Sequence, residues 1–235
     1  MEVRLLFMPF YFHPMDLLIF VAFGISMWAS FRVRGTFNEY SQVQTMSGMT
    51  GYEAARRMLD VNGLHDVPVE PVQGALTDHY DPQARVVRLS EPVYYERSIS
   101  AISVAYHEVG HAIQHKVNYP MLVTRSQIFP VANFASGVAP FLILAGLIFQ
   151  QFSFLLHIGI IFFSVAVLFQ LITLPVEFNA SSRARKLMLD YGFVTREEEY
   201  GVGKVLNAAA LTYVAAALIS VLQLLKFIMI FNNRD

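Results

Sequence analysis

Apolar residues in this chain are gathered into long blocks. Residues 129–149 and 152–174 carry no charged side chain, and neither do residues 205–225, beyond which only Lys226 interrupts the apolar run to Phe231. These blocks are 21, 23 and 21 residues long. As helices rising about 1.5 Å per residue, each can cross roughly 30 Å of hydrocarbon. Residues 17–31 form a fourth apolar run behind Pro14 and Asp16, a little short at about 22 Å. Another apolar stretch, residues 5–12, precedes it, and only Arg4 is positively charged there. No small-residue cleavage pattern follows the run, so it reads as an uncleaved first anchor and not as a signal peptide. The pattern predicts four spans.

Between the spans lie two polar segments, residues 32–128 and 175–204. Arg32, Arg34, Lys116, Arg125, Arg183, Arg185, Lys186, Arg196 and Lys204 all fall in these segments, whereas the opposite side has Arg4, Arg234 and Lys226. That bias places both segments in the cytoplasm and both termini outside. The organisation expected is a membrane anchor (1–31), a cytoplasmic catalytic segment (32–128) and a two-span hairpin (129–174). A second cytoplasmic segment (175–204) and a C-terminal span (205–235) follow. Two spans separate the polar segments, so they share one membrane face and can build one site.

Within the first polar segment, residues 49–63 read as a helix. Thr50 is its N-cap, Glu53 completes a capping box, and Gly63 ends it. Residues 64–71 mix apolar residues with prolines, which suits an edge strand or extended loop. Residues 77–82 read as a turn and residues 85–89 as a short strand. Ser98 then caps a helix running to about Lys116. The fold class expected is mainly α: a four-span membrane protein with a small α+β, zincin-like cytoplasmic domain.

Composition narrows the chemistry. The chain has 235 residues, 55% hydrophobic and 15% charged, against about 25% charged in soluble domains. Its net charge of −1 is spread without a basic block, which removes a nucleic-acid partner. Cysteine is absent, excluding thiol catalysis, disulfides and thiolate metal sites.

The predicted helix before Lys116 contains His107-Glu108-Val109-Gly110-His111. Histidines at i and i+4 project from one helical face, so both imidazoles can reach one Zn²⁺. Glu108 is then placed to take a proton from the attacking water and return it to the leaving amine. A catalytic zinc needs a third protein ligand. His115 lies about 12 Å along the axis from His107 and is out of reach. A metzincin pattern fails because positions 114 and 117 are Gln and Val. Glu177, just after the third span, is the better candidate, with Glu91, Glu96, Asp190, Glu197, Glu198 and Glu199 as alternatives. The last three also suit a solvated helix start. His79, Tyr80 and Arg88 are candidate transition-state or substrate contacts, with Tyr94 and Tyr95 as further donors. Residues 85–89 could be the edge strand on which a substrate pairs, or a buried scaffold strand.

Taken together, Ser47-Gly48-Met49-Thr50-Gly51, Leu76-Thr77-Asp78-His79-Tyr80-Asp81-Pro82, residues 85–90, the helix through His115 and Leu174-Pro175-Val176-Glu177-Phe178-Asn179-Ala180-Ser181 resemble the bacterial YugP-type membrane zinc metallopeptidases. The resemblance spans about residues 32–225. It implies a membrane-bound, zinc-dependent neutral peptidase with one zinc per chain, His107 and His111 as ligands and Glu108 as catalyst. A downstream Glu as third ligand fits the wider gluzincin plan. In related membrane proteases of the HtpX and CAAX-processing type, an Asp follows that Glu by four residues and bonds a ligand His; position 181 here is Ser. The partners implied are a protein or peptide substrate and the lipid bilayer. A zinc-stabilised scaffold or chaperone without activity is the competing reading, and the presence of Glu108 argues against it.

Overall fold

Cap residues and apolar blocks set the frame of the computed structural model, which describes residues 14–232. Arg4 and Arg234, used above for orientation, lie outside these residues, as does the apolar stretch 5–12. In chain order come α1 (Pro14–Ser41), α2 (Gly51–Val61), β1 (Val69–Val72), β2 (His79–Asp81), β3 (Val86–Ser90), α3 (Glu91–Tyr95), α4 (Ile99–Lys116), α5 (Pro120–Ile148), a 3₁₀ turn (Gln150–Phe152), α6 (Phe154–Asp190) and α7 (Arg196–Asn232). Helices α1, α5, α6 and α7 are long and apolar enough to cross a membrane.

All four of these helices outrun their apolar blocks, α7 by beginning at Arg196, ahead of residue 205. α1 continues from Phe31 to Ser41, and α5 begins at Pro120, well ahead of residue 129. α6 does not stop at Leu174 but passes through Pro175 to Asp190. At 37 residues, α6 and α7 are each roughly 55 Å long. The overhanging turns have a packing reason. Ala184 and Met188 of α6, and Val202 and Leu206 of α7, are buried in one core with Met58 and Leu59 of α2, Leu89 of β3 and Tyr106 of α4. Membrane helices and polar domain therefore share a single hydrophobic core. The foot of α1 joins it: Ser100 donates to the Phe37 carbonyl at 2.7 Å. At the far end, Lys226 of α7 pairs with Asp16 of α1.

The capping box forms as the sequence predicts. Thr50 N–H donates to Glu53 at 2.8 Å, and Glu53 N–H donates to the Thr50 hydroxyl at 3.1 Å. Ser98 caps α4 by accepting from Ala101 N–H. Asn118, at φ 49°, turns the chain out of α4 into the Tyr119-Pro120 start of α5, a left-handed position that Asn tolerates better than most residues.

The sheet has the order β1-β3-β2. β1 runs parallel to β3 with Val69 opposite Val87, and β2 runs antiparallel with Tyr80 opposite Val87. One expectation changes here, and one open alternative is decided. Residues 79–81 are a strand, because pairing with β3 satisfies a backbone that a turn would leave to water. β3 is the central, buried strand and offers no free edge. The exposed edge nearest α4 belongs to β2.

Candidate metal centre

Histidines one turn apart place His107 and His111 on the same face of α4, ring centroids 4.8 Å apart and 85° inclined. α6 crosses that face closely. A Cβ on Gly110 would stand 2.7 Å from the Ala180 carbonyl oxygen, so only glycine admits this approach. Glu177 of α6 is thereby delivered to the histidines: its Oε2 lies 3.2 Å from His107 Nε2 and 3.5 Å from His111 Nε2. Among the described residues, these three form a group able to hold a metal ion. Gly110→Ala is expected to force the helices apart at a cost of roughly 1–3 kcal/mol. A lowered melting temperature in detergent, with weaker zinc retention, checks this.

Donor chemistry supports a cation in this cluster. The edge of a tetrahedron with bonds of 2.0–2.1 Å is roughly 3.3 Å, matching both His–Glu separations. The hydrogen-bond network then fixes one tautomer. The Val176 carbonyl can only accept, so the Gln114 atom 2.8 Å from it is the amide nitrogen. The Gln114 oxygen must therefore face His111 Nδ1, 3.0 Å away, and that nitrogen carries the proton. His111 Nε2, the nitrogen that faces Glu177, is then the one placed to give its lone pair to a cation held between them. Asn179 reinforces the arrangement by accepting from Gln114 at 3.0 Å and from Arg183 at 2.7 Å.

His107 Nδ1 meets the Ser181 hydroxyl at 3.1 Å. This histidine is therefore contacted through a neutral oxygen. Such outer contacts orient metal-binding imidazoles. Glu177 is buried, with its second oxygen 3.6 Å from Arg125 Nη1, and the Tyr213 hydroxyl lies against the same carboxylate.

Glu108 is buried beside the cluster. Burial pushes its carboxyl up to about 7, opposed by His107 and reinforced by the negative charges of Glu177 and Asp78. The backbone N–H of Tyr80 is directed at it from β2. Asp78 is itself raised by burial, against hydrogen bonds from Ser90 N–H and hydroxyl.

Two cavities of about 780 and 350 Å³ meet at this point, and Asp78, His107, Glu108 and Tyr213 line both. The larger includes His79, Tyr80 and His115. Tyr80 hydroxyl and His115 Nδ1 are 2.8 Å apart, so His115 ties β2 to α4 and stays clear of the metal-binding group. Arg88 is placed elsewhere: it pairs with Asp81 at 3.0 Å and Glu70 at 3.4 Å across the sheet. Asp190 pairs with Lys186 and Glu199 with Arg185. Glu198 caps α7 through Thr195. Arg125, Tyr213 and Gln114 were not singled out from sequence. Gln114 carried a signal, an amide three residues after His111 on the apolar face of α4.

The chain matches the family model described as "Putative neutral zinc metallopeptidase" over residues 15–232. It is 64% identical over 219 residues to the Bacillus subtilis (strain 168) protein named "Putative membrane protease YugP", covering 93% of this chain and 97% of that protein. No solved structure gives a significant match.

Proposed function

The chain belongs to the neutral zinc metallopeptidase family, and from that membership we propose that it is a membrane-embedded, zinc-dependent endopeptidase. The observation that carries the reading is the convergence of His107, His111 and Glu177 on one point beside buried Glu108. These three side chains would hold one zinc ion per chain. When bound, zinc there supplies Lewis acidity, polarising a peptide carbonyl and making water more acidic.

The protein's own groups do the rest. The Glu108 carboxylate takes a proton from the attacking water and hands it to the leaving nitrogen. Gln114 keeps the His111 imidazole in the required tautomer, and Ser181 helps to orient that of His107. The free edge of β2 offers its backbone to an extended substrate strand. His79 and Tyr80 flank that strand, while Arg125 and Tyr213 face the larger cavity with donors suited to a developing negative charge. Arg88, held across the sheet, is left out of this assignment. Two cavities that share Glu108 in their walls offer a polypeptide room to run past the site, which favours cleavage within a chain over trimming of its end. The Lys and Arg bias between the spans supports a multi-pass protein of the cytoplasmic membrane with the site, in a small zincin-like domain, facing the cytoplasm.

Chelation tests the reading. Detergent-purified protein is expected to hydrolyse an end-blocked peptide mixture, to lose this activity when stripped of metal, and to recover it with one equivalent of zinc. Unchanged hydrolysis by protein verified as zinc-free contradicts it.

A further inference from the structure

The cavity walls fix the level of the site relative to the bilayer. Residues 154–176 of α6 carry no charge, and these 23 residues span roughly 34 Å against about 30 Å of hydrocarbon. Glu177 follows immediately, so the metal-binding group lies within a turn or two of the hydrocarbon edge. α5 agrees: Arg125 is the last charge before the uncharged residues 126–149, and Arg125, Ser126 and Phe129 all line the larger cavity. α7 reaches deeper. Tyr213 and Thr212 line the cavities from inside the uncharged block 205–225, and Tyr213 stands roughly 13 Å past Lys204. From α1, Ser30 and Arg34 line the smaller cavity across the end of its apolar block. Phe129, in the wall of the larger cavity, is 53% exposed, an apolar side chain from the uncharged stretch of α5.

We propose that the substrates are polypeptides anchored in the same bilayer, cut in the extended stretch that directly adjoins a membrane span. This rests on the peptidase reading and names its substrate class. An extended chain advances about 3.3 Å per residue, so a site one or two helical turns of about 5.4 Å from the hydrocarbon is met roughly two to three residues beyond a span. A segment at that position arrives already at the height of Glu108. A loop of a soluble protein must be drawn down between α1, α5 and α7 against their apolar walls.

The test uses the full chain co-reconstituted with single-span peptides. One fixed sequence of mixed polar and apolar composition is grafted four or twenty residues from the span, with the Glu108→Gln protein as background. Effective concentration falls roughly as the −3/2 power of tether length, so the four-residue substrate is expected to be cut about tenfold faster. In a parallel arm without hydrolysis, a benzophenone at the scissile position is expected to cross-link residues 122–129 of metal-stripped protein from the short tether in preference to the long one. Equal or faster cleavage on the long tether, with cross-linking indifferent to length, overturns the proposal. Cross-linking that follows tether length without hydrolysis of any substrate upholds the docking site and removes the peptidase reading.

Discussion

Glu108→Gln is expected to lower kcat for peptide hydrolysis by about 10²–10⁴-fold, the range for a positioned proton-transfer group, while zinc stays near one per chain. Glutamine keeps the shape and an oxygen to accept from Tyr80 N–H, so the buried position stays filled. It cannot take up a proton. In the structure Glu108 stands beside His107 but outside the group formed by His107, His111 and Glu177, so binding and chemistry separate at this residue. The pH profile carries the same signature. Burial lifts the Glu108 carboxyl to about 7. As pH falls through that value the base becomes protonated, and kcat/KM is expected to drop along an acid limb approaching tenfold per pH unit. A bound dication moves the limb to lower pH, so about 7 is its upper bound. Residual activity of the glutamine variant is expected to lack the limb. Equal kcat in the two proteins would remove Glu108 from the mechanism.

Glu177→Gln is expected to do the opposite, leaving a folded protein that fails to retain zinc through dialysis. Three donors define the group, and Glu177 is the one that reaches both histidines. Loss of an outer contact to a metal site typically costs 10–100-fold in affinity, and loss of one of three direct donors is expected to cost more. The change also strips Arg125 of the carboxylate 3.6 Å away, so an unpaired guanidinium adds repulsion toward a cation. A double variant with Arg125→Gln separates the two effects: recovered zinc binding would assign the loss to Arg125 and free Glu177 from the ligand role. Zinc content by mass spectrometry, beside an unchanged far-UV circular dichroism spectrum, is the check.

The ease with which this site is read from sequence varies from residue to residue. His107, Glu108 and His111 are legible because their spacing is local, set by one helix whose N-cap, Ser98, is also visible. The four membrane helices are legible because lipid demands uninterrupted apolar length. Helix ends are not. α6 runs through Pro175 because its polar turns bury Ala184 and Met188 in the core of the neighbouring domain, a tertiary gain that no local signal announces. Asp and Pro make residues 77–82 look like a turn in sequence, whereas pairing with β3 decides that residues 79–81 are a strand. Arg88 was offered for the site on residue type alone, and Asp81 and Glu70 hold it elsewhere. Arg125, Tyr213 and Gln114 enter the site from three different helices, so only the meeting of α4, α5 and α7 around α6 reveals them. Ser181 reads as a departure from a pattern, whereas in three dimensions its hydroxyl meets His107 Nδ1.

The central claim is that His107, His111 and Glu177 hold one zinc ion next to Glu108. X-ray absorption at the zinc edge on the purified protein tests it most directly. The result expected is one zinc per chain, with multiple-scattering features of two imidazoles and nitrogen or oxygen neighbours at about 2.0–2.1 Å, one imidazole being lost in His111→Ala. Zinc with a single imidazole, or a spectrum unaltered by that substitution, would contradict it.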